Sequence, residues 1–157
     1  MKRVGFWLRT LALLIDSVVV LLLAMLCLLL NLQITGDAES SRLVDGLFYA
    51  AVLIYTATEV FFAATPGKLI LKIRIGRNDC TKADKWRLVL RWSTKQLPLI
   101  LLLMFIATNW PPFTLLRGLT VAVIFLGCFY AANDDRLSWH DQWAGTAVYR
   151  TRDLARK

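Results

Sequence analysis

Residues 9 to 32 read RTLALLIDSVVVLLLAMLCLLLNL, a run whose only ionisable side chains besides Cys27 are Arg9 and Asp16. A bilayer span needs about 20 largely apolar residues. The stretch Leu11 to Leu32 meets that need with Asp16 as its one charge. The start of the chain, Met-Lys-Arg before an apolar run, has the look of a signal peptide, and Cys27 that of a lipoprotein cysteine. Arg9 and Asp16 interrupt the run, Leu26 rather than a small residue precedes Cys27, and no A-x-A site follows. A retained transmembrane helix is therefore expected.

The rest of the chain supports the same class. Of 157 residues, 57% are hydrophobic, too many for one soluble domain of this length. Gly46 to Thr65 (GLFYAAVLIYTATEVFFAAT) is a second span with Glu59 as its one charge, closed by Pro66. Residues 97–110 and 113–132 form a third and a fourth, separated by Pro111 and Pro112. The third run is short, so a re-entrant hairpin is the alternative for the last pair. Cys27, Cys80 and Cys128 lie far apart with no ligand spacing, so no disulfide, metal or cofactor is expected.

Charge sets the expected orientation. The segment 68–95 holds nine Lys/Arg against two Asp, whereas the first loop holds Asp37, Glu39 and Asp45 against Arg42. Excess positive charge stays on the cytoplasmic side. Both termini, the loop 67–96 and the tail 133–157 are thus expected in the cytoplasm. Arg117, the one conflict, can extend to the outer interface. Trp7, Trp86, Trp92, Trp139 and Trp143 fall at the inner boundary and Trp110 at the outer. The net charge of +8 then faces an anionic leaflet, and no nucleic-acid motif accompanies it. The expected architecture is a single all-α membrane domain, residues 1–157, with four spans and a short cytoplasmic β element.

Within the loop, LILKIRI (69–75) reads as a short strand. Thr81 and Asp84 resemble a capping box, and the helix after them, up to Lys95, reads as amphipathic and interfacial. A direct cytoplasmic extension of the third span is the other reading. TAVYRT (146–151) is a second short strand that could pair with LILKIRI.

Two carboxylates lie within hydrocarbon, where charge is costly and function is the default expectation. Asp16 is seven residues past Arg9, roughly 10 Å deeper on a helix. Glu59 is six residues before Thr65, roughly 9 Å from its helix end. Their helices run oppositely, so the two fall at similar depth. Three readings stand side by side. The pair binds a cation or shares a proton; one or both join Arg9, Arg91 or His140 in a structural network; or Glu59 is protonated and bonded to Thr56 or Thr58. Arg9 and Asp16 share a face two turns apart, so each needs a partner elsewhere. His140, beside Asp141, reads as a cap at the inner mouth or a proton-transfer group. No nucleophile elbow, zinc helix or phosphate loop occurs, and no enzyme activity is expected.

GFWLRTLALLIDS (5–17), TPGKLILKIRI (65–75) and LSWHDQWAGTAVY (137–149) together resemble the RDD family of small bacterial membrane proteins, named for one arginine and two aspartates. The resemblance carries the arginine onto Arg9 and the aspartates onto Asp16 and Asp141, and marks Thr65, Pro66, Gly67 and Lys68 as motif residues. It implies a bacterial inner-membrane protein and, as an activity, transport of a small solute or cation. Many members are drawn with three spans; four here rest on the paired runs after Lys95. Two functions are carried forward. In one, Asp16 and Glu59 bind a cation or proton, Arg9 tunes or gates their charge, and His140 and Asp141 flank the entrance, in a homo-oligomer. In the other, the chain is a non-transporting scaffold or accessory subunit for a partner protein.

Overall fold

A computed structural model describes residues 3–33, 38–108, 110–132 and 136–154. Helix α1 spans Phe6–Gln33, α2 Ala38–Phe62, α3 Pro66–Ile70, α4 Lys85–Thr108, α5 Pro112–Phe129 and α6 Trp139–Ala144. Strands β1 (Ile73–Arg77) and β2 (Thr146–Arg150) form a two-stranded antiparallel sheet. Four helices are long and apolar enough to cross a membrane: Phe6–Gln33, Leu43–Phe62, Lys85–Ile106 and Pro112–Ala132. Along α1, Leu13, Leu21, Leu28 and Leu32 are all more than half exposed. Apolar surface on that scale is suited to lipid rather than water. In the bundle α1 packs on α2, α2 on α4, and α4 on α5.

The segment after α2 departs from its expected strand. Residues 66–70 form one short helix, and the strand begins only at Ile73. Pro66 explains this: it stands at the first helical turn, where its fixed φ suits the helix and its missing N–H costs nothing. α2 itself ends at Phe62, three residues before the expected boundary, because Ala63 turns left-handed at φ 53°. Its carbonyl is then satisfied by the Ile75 amide at 2.8 Å.

α4 also differs from the expected interfacial helix. Lys85–Thr108 is one continuous helix with Pro98 inside it, so the basic segment runs straight into the third span. Apolar helices of this kind tolerate an interior proline. Thr81 does not cap it; its hydroxyl donates to Asp79 at 2.6 Å, and the helix starts after Asp84.

The expected pairing of TAVYRT with the middle loop is present, with Ile73 opposite Arg150 and Ile75 opposite Val148. The Val4 amide donates to the Val148 carbonyl at 2.8 Å, tying the chain start to the sheet. Val4, Ala12, Ile73, Ile75, Leu88 and Val148 form the buried core beneath it. The sheet, α3, α6, the start of α1, the end of α2 and the start of α4 therefore gather at one end of the bundle.

Candidate functional site

That end of the bundle holds the polar side chains. Asp16 lies on the α1 face that carries Ala12, four residues earlier and fully buried. Its carboxylate accepts from the Tyr55 hydroxyl at 2.7 Å, the Thr65 hydroxyl at 2.5 Å and the Gly67 amide at 2.8 Å. A carboxylate receiving hydroxyl and backbone donors needs no cationic partner. Gly67 is fixed by the same contact. A Cβ there would stand 2.5 Å from the Ala12 carbonyl oxygen and 2.7 Å from Asp16 Oδ1.

The next motif residue turns the other way. Lys68 Nζ donates to Glu59 Oε2 at 2.8 Å. Lys95 Nζ reaches both Glu59 oxygens, at 2.6 and 2.7 Å, and Arg91 Nε lies 3.2 Å from Oε1. Glu59 is only 1% exposed, so three cations surround one buried carboxylate. Thr56 and Thr58 donate instead to the carbonyls of Leu53 and Tyr55.

Arg91 extends the network. Its Nη2 lies 2.9 Å from Asp141 Oδ1, and the other Asp141 oxygen pairs with Arg9 Nη1. Neither Arg91 ion pair has hydrogen-bond alignment, and its Nη1 has no hydrogen-bond partner among the described residues. Arg9 also donates to the Arg136 carbonyl at 2.7 Å and the Val4 carbonyl at 3.2 Å. An ion-pair chain thus runs from Lys95 and Lys68 through Glu59, Arg91 and Asp141 to Arg9, joining α4, α3, α2, α6 and α1.

Asp141 is held there by local chemistry. Ser138 caps α6, and the Asp141 carboxylate accepts from the Ser138 amide, a reciprocal capping box. Gly145 closes α6 in the left-handed region at φ 61°, and Arg87 donates to the Ala144 carbonyl at 3.1 Å. Burial pushes the Asp141 carboxyl up, but Arg91 and Arg9 outweigh it and hold it well below the usual carboxylate range. Burial lowers His140, and Arg91 and Lys95 lower it further. It is neutral at ordinary pH, with Nε2 2.9 Å from the Ser138 hydroxyl. Burial also lowers the Lys68 ammonium, and Glu59 offsets only part of that.

The sequence-predicted residues are therefore divided between two clusters. Asp16 and Glu59 are not bonded to each other. Asp16 belongs with Tyr55, Thr65 and Gly67, and Glu59 with Lys68, Lys95 and Arg91. The motif Thr65-Pro66-Gly67-Lys68 links the two, offering two donors to one carboxylate and a cation to the other. Arg9 reaches Asp141 rather than Asp16. Tyr55, Lys95 and Ser138 had no assigned role in the sequence reading, yet spacing marks two of them. Tyr55 and Glu59 are four apart, as are Arg91 and Lys95, so each pair shares a helix face. Among the described residues, no group of three or more His, Cys, Asp or Glu is placed to hold a metal ion.

Comparison with curated proteins gave no significant match, and comparison with solved structures gave none either. The family model described as RDD family matches residues 3–145, a range that holds Arg9, Asp16, the 65–68 motif and Asp141. The chain belongs to the RDD family.

Proposed function

We propose that this chain is a multi-pass protein of the bacterial inner membrane that helps move a proton or small cation, with the Lys68–Glu59 pair as its exchanging group. The observation that carries this is the charge around Glu59. Among the described residues, Arg9, Lys68, Arg91 and Lys95 share two carboxylates, Glu59 and Asp141. Uncompensated buried charge is costly, and arginine does not release its proton. Lys68, already lowered by burial, is the member outside the candidate spans that can give one up. Protonating Glu59 instead would strip Lys68, Lys95 and Arg91 of their common counter-ion and loosen α3 and α4 from α2. Either step couples proton movement to opening of this end of the bundle.

Asp16 takes a different part. Its three donors make it the fixed anchor of α3, so it positions Lys68 rather than binding the moving ion. The positive charge on 68–95 supports a network on the cytoplasmic side with both termini inside. Four helices enclose little space, and a pathway forms more readily between protomers of an oligomer.

Reconstitution in liposomes tests this, with proton and cation flux measured for wild type, Glu59→Gln and Asp16→Asn. Flux in the wild type that Glu59→Gln abolishes is the expected result. Asp16→Asn should lower flux together with thermal stability. Absent wild-type flux, or flux indifferent to both substitutions, sinks the transport reading. A scaffold or accessory subunit would then be the better reading.

A further inference from the structure

At the same end of the molecule, a cavity of about 590 Å³ is lined by Leu8, Leu69 and Leu71 together with Lys72, Arg74, Arg150, Thr151 and Arg152, none of them a member of the ion-pair chain. We infer that this cavity binds the phosphate headgroup of an anionic phospholipid.

The first support is the charge. Four cationic side chains and one hydroxyl line the cavity with no carboxylate among the lining residues. Among the described residues, Arg152 alone of the four has an ion pair, to Asp153 at 3.6 Å, and Arg152 is 74% exposed there. Such an exposed pair contributes little. The sheet register creates the cluster: Ile73 lies opposite Arg150 and Arg74 opposite Tyr149, which brings the end of β2 beside the start of β1. Like charges lining one cavity repel one another, and a bound phosphate would offset that repulsion.

The second support is the backbone. Lys72 takes φ 55°, the left-handed region that a lysine rarely adopts. The Thr151 amide holds it there by donating to the Lys72 carbonyl at 2.8 Å. Strain of this kind persists where the surroundings enforce it, and it aims a side chain that a relaxed turn would place elsewhere.

The third is depth. Leu8 stands in the first turn of α1, next to Trp7, which is 82% exposed, and Ile70 beside the cavity is 65% exposed. Tryptophan marks the headgroup level of a bilayer. Basic and apolar side chains lining one cavity at that level match a lipid's phosphate and the root of its acyl chains. Free phosphate shares only the first half of that chemistry.

The test uses full-length protein in an uncharged detergent, titrated with soluble dihexanoyl phosphatidylglycerol, dihexanoyl phosphatidylcholine and inorganic phosphate. Calorimetry and thermal stability are the readouts. Phosphatidylglycerol should bind and raise the melting temperature, while the other two should bind far more weakly. Lys72→Gln/Arg74→Gln/Arg150→Gln/Arg152→Gln should weaken phosphatidylglycerol by about tenfold or more, since each basic side chain contributes to anionic-surface attraction. The milder Arg74→Gln/Arg152→Gln should show a smaller loss in the same direction, which guards against misfolding of the fourfold variant. Lys82→Gln/Lys85→Gln, outside the cavity, should leave binding unchanged. Equal affinity in wild type and both cavity variants overturns the inference. So does inorganic phosphate binding as tightly as the lipid, which would mean an anion site without lipid recognition.

Discussion

At the scale of single residues, the molecule separates two carboxylates that sequence position alone makes look alike. Asp16 and Glu59 are expected at similar depth, yet one is satisfied by hydroxyl and amide donors and the other by cations. Their place on the two helices was legible, because each falls inside a long apolar run. The partners were not. Lys95 is 36 residues from Glu59 and Asp141 is 132 from Arg9, and no local periodicity links positions so far apart. Gly67 gives the sharpest residue-level expectation. Gly67→Ala would force α3 away from Ala12 and Asp16, and overpacking of that kind costs about 1–3 kcal/mol. Thermal unfolding in detergent should show a lower midpoint for Gly67→Ala, and an unchanged midpoint would contradict the close approach.

Among the elements, the sheet pairing and the long helices were readable, whereas the junctions were not. Residues 69–75 read as strand because LILKIRI is β-branched and alternates loosely between apolar and polar side chains, but its first two residues belong to α3. Proline at the first turn and the Asp16 carboxylate at the amide end decide for helix instead. The Lys85 helix mixed charges with apolar side chains and so read as interfacial; its i,i+4 pair Arg91 and Lys95 faces a buried glutamate, not lipid headgroups. α6 carries a pH expectation. His140 is lowered by burial and then by Arg91 and Lys95, against the weaker upward pull of Asp141 and Glu59. The folded protein therefore holds it neutral, while the unfolded chain takes up a proton below about pH 6.5. Proton binding then favours the unfolded state, and stability falls with pH in that range by up to about 1.4 kcal/mol per unit. Unfolding midpoints measured between pH 7.5 and 5.5 should fall for wild type and stay flatter for His140→Gln.

For the whole molecule, the sequence reads as four apolar spans, and four such helices are present among the described residues. Their ends assemble a polar cap in which α1, α2, α3, α4 and α6 share one ion-pair chain. The five elements depend on one another in such a cap, because breaking one pair would leave a buried charge unpaired. The asymmetry of basic residues predicts which side the cap faces. Reporters fused to either terminus should both read as cytoplasmic, and an external C-terminus would contradict the four-span orientation. In the proposed function Lys68 exchanges a proton with its surroundings instead of serving only as a fixed counter-ion. Lys68→Arg tests it most directly, because arginine keeps the positive charge toward Glu59 but does not give up its proton. Proton flux should be measured in liposomes for wild type and Lys68→Arg, with unfolding midpoints matched beforehand. A loss of about tenfold or more is expected, the size of a one-unit change in proton affinity; wild-type flux in a stable Lys68→Arg protein would contradict proton exchange at Lys68.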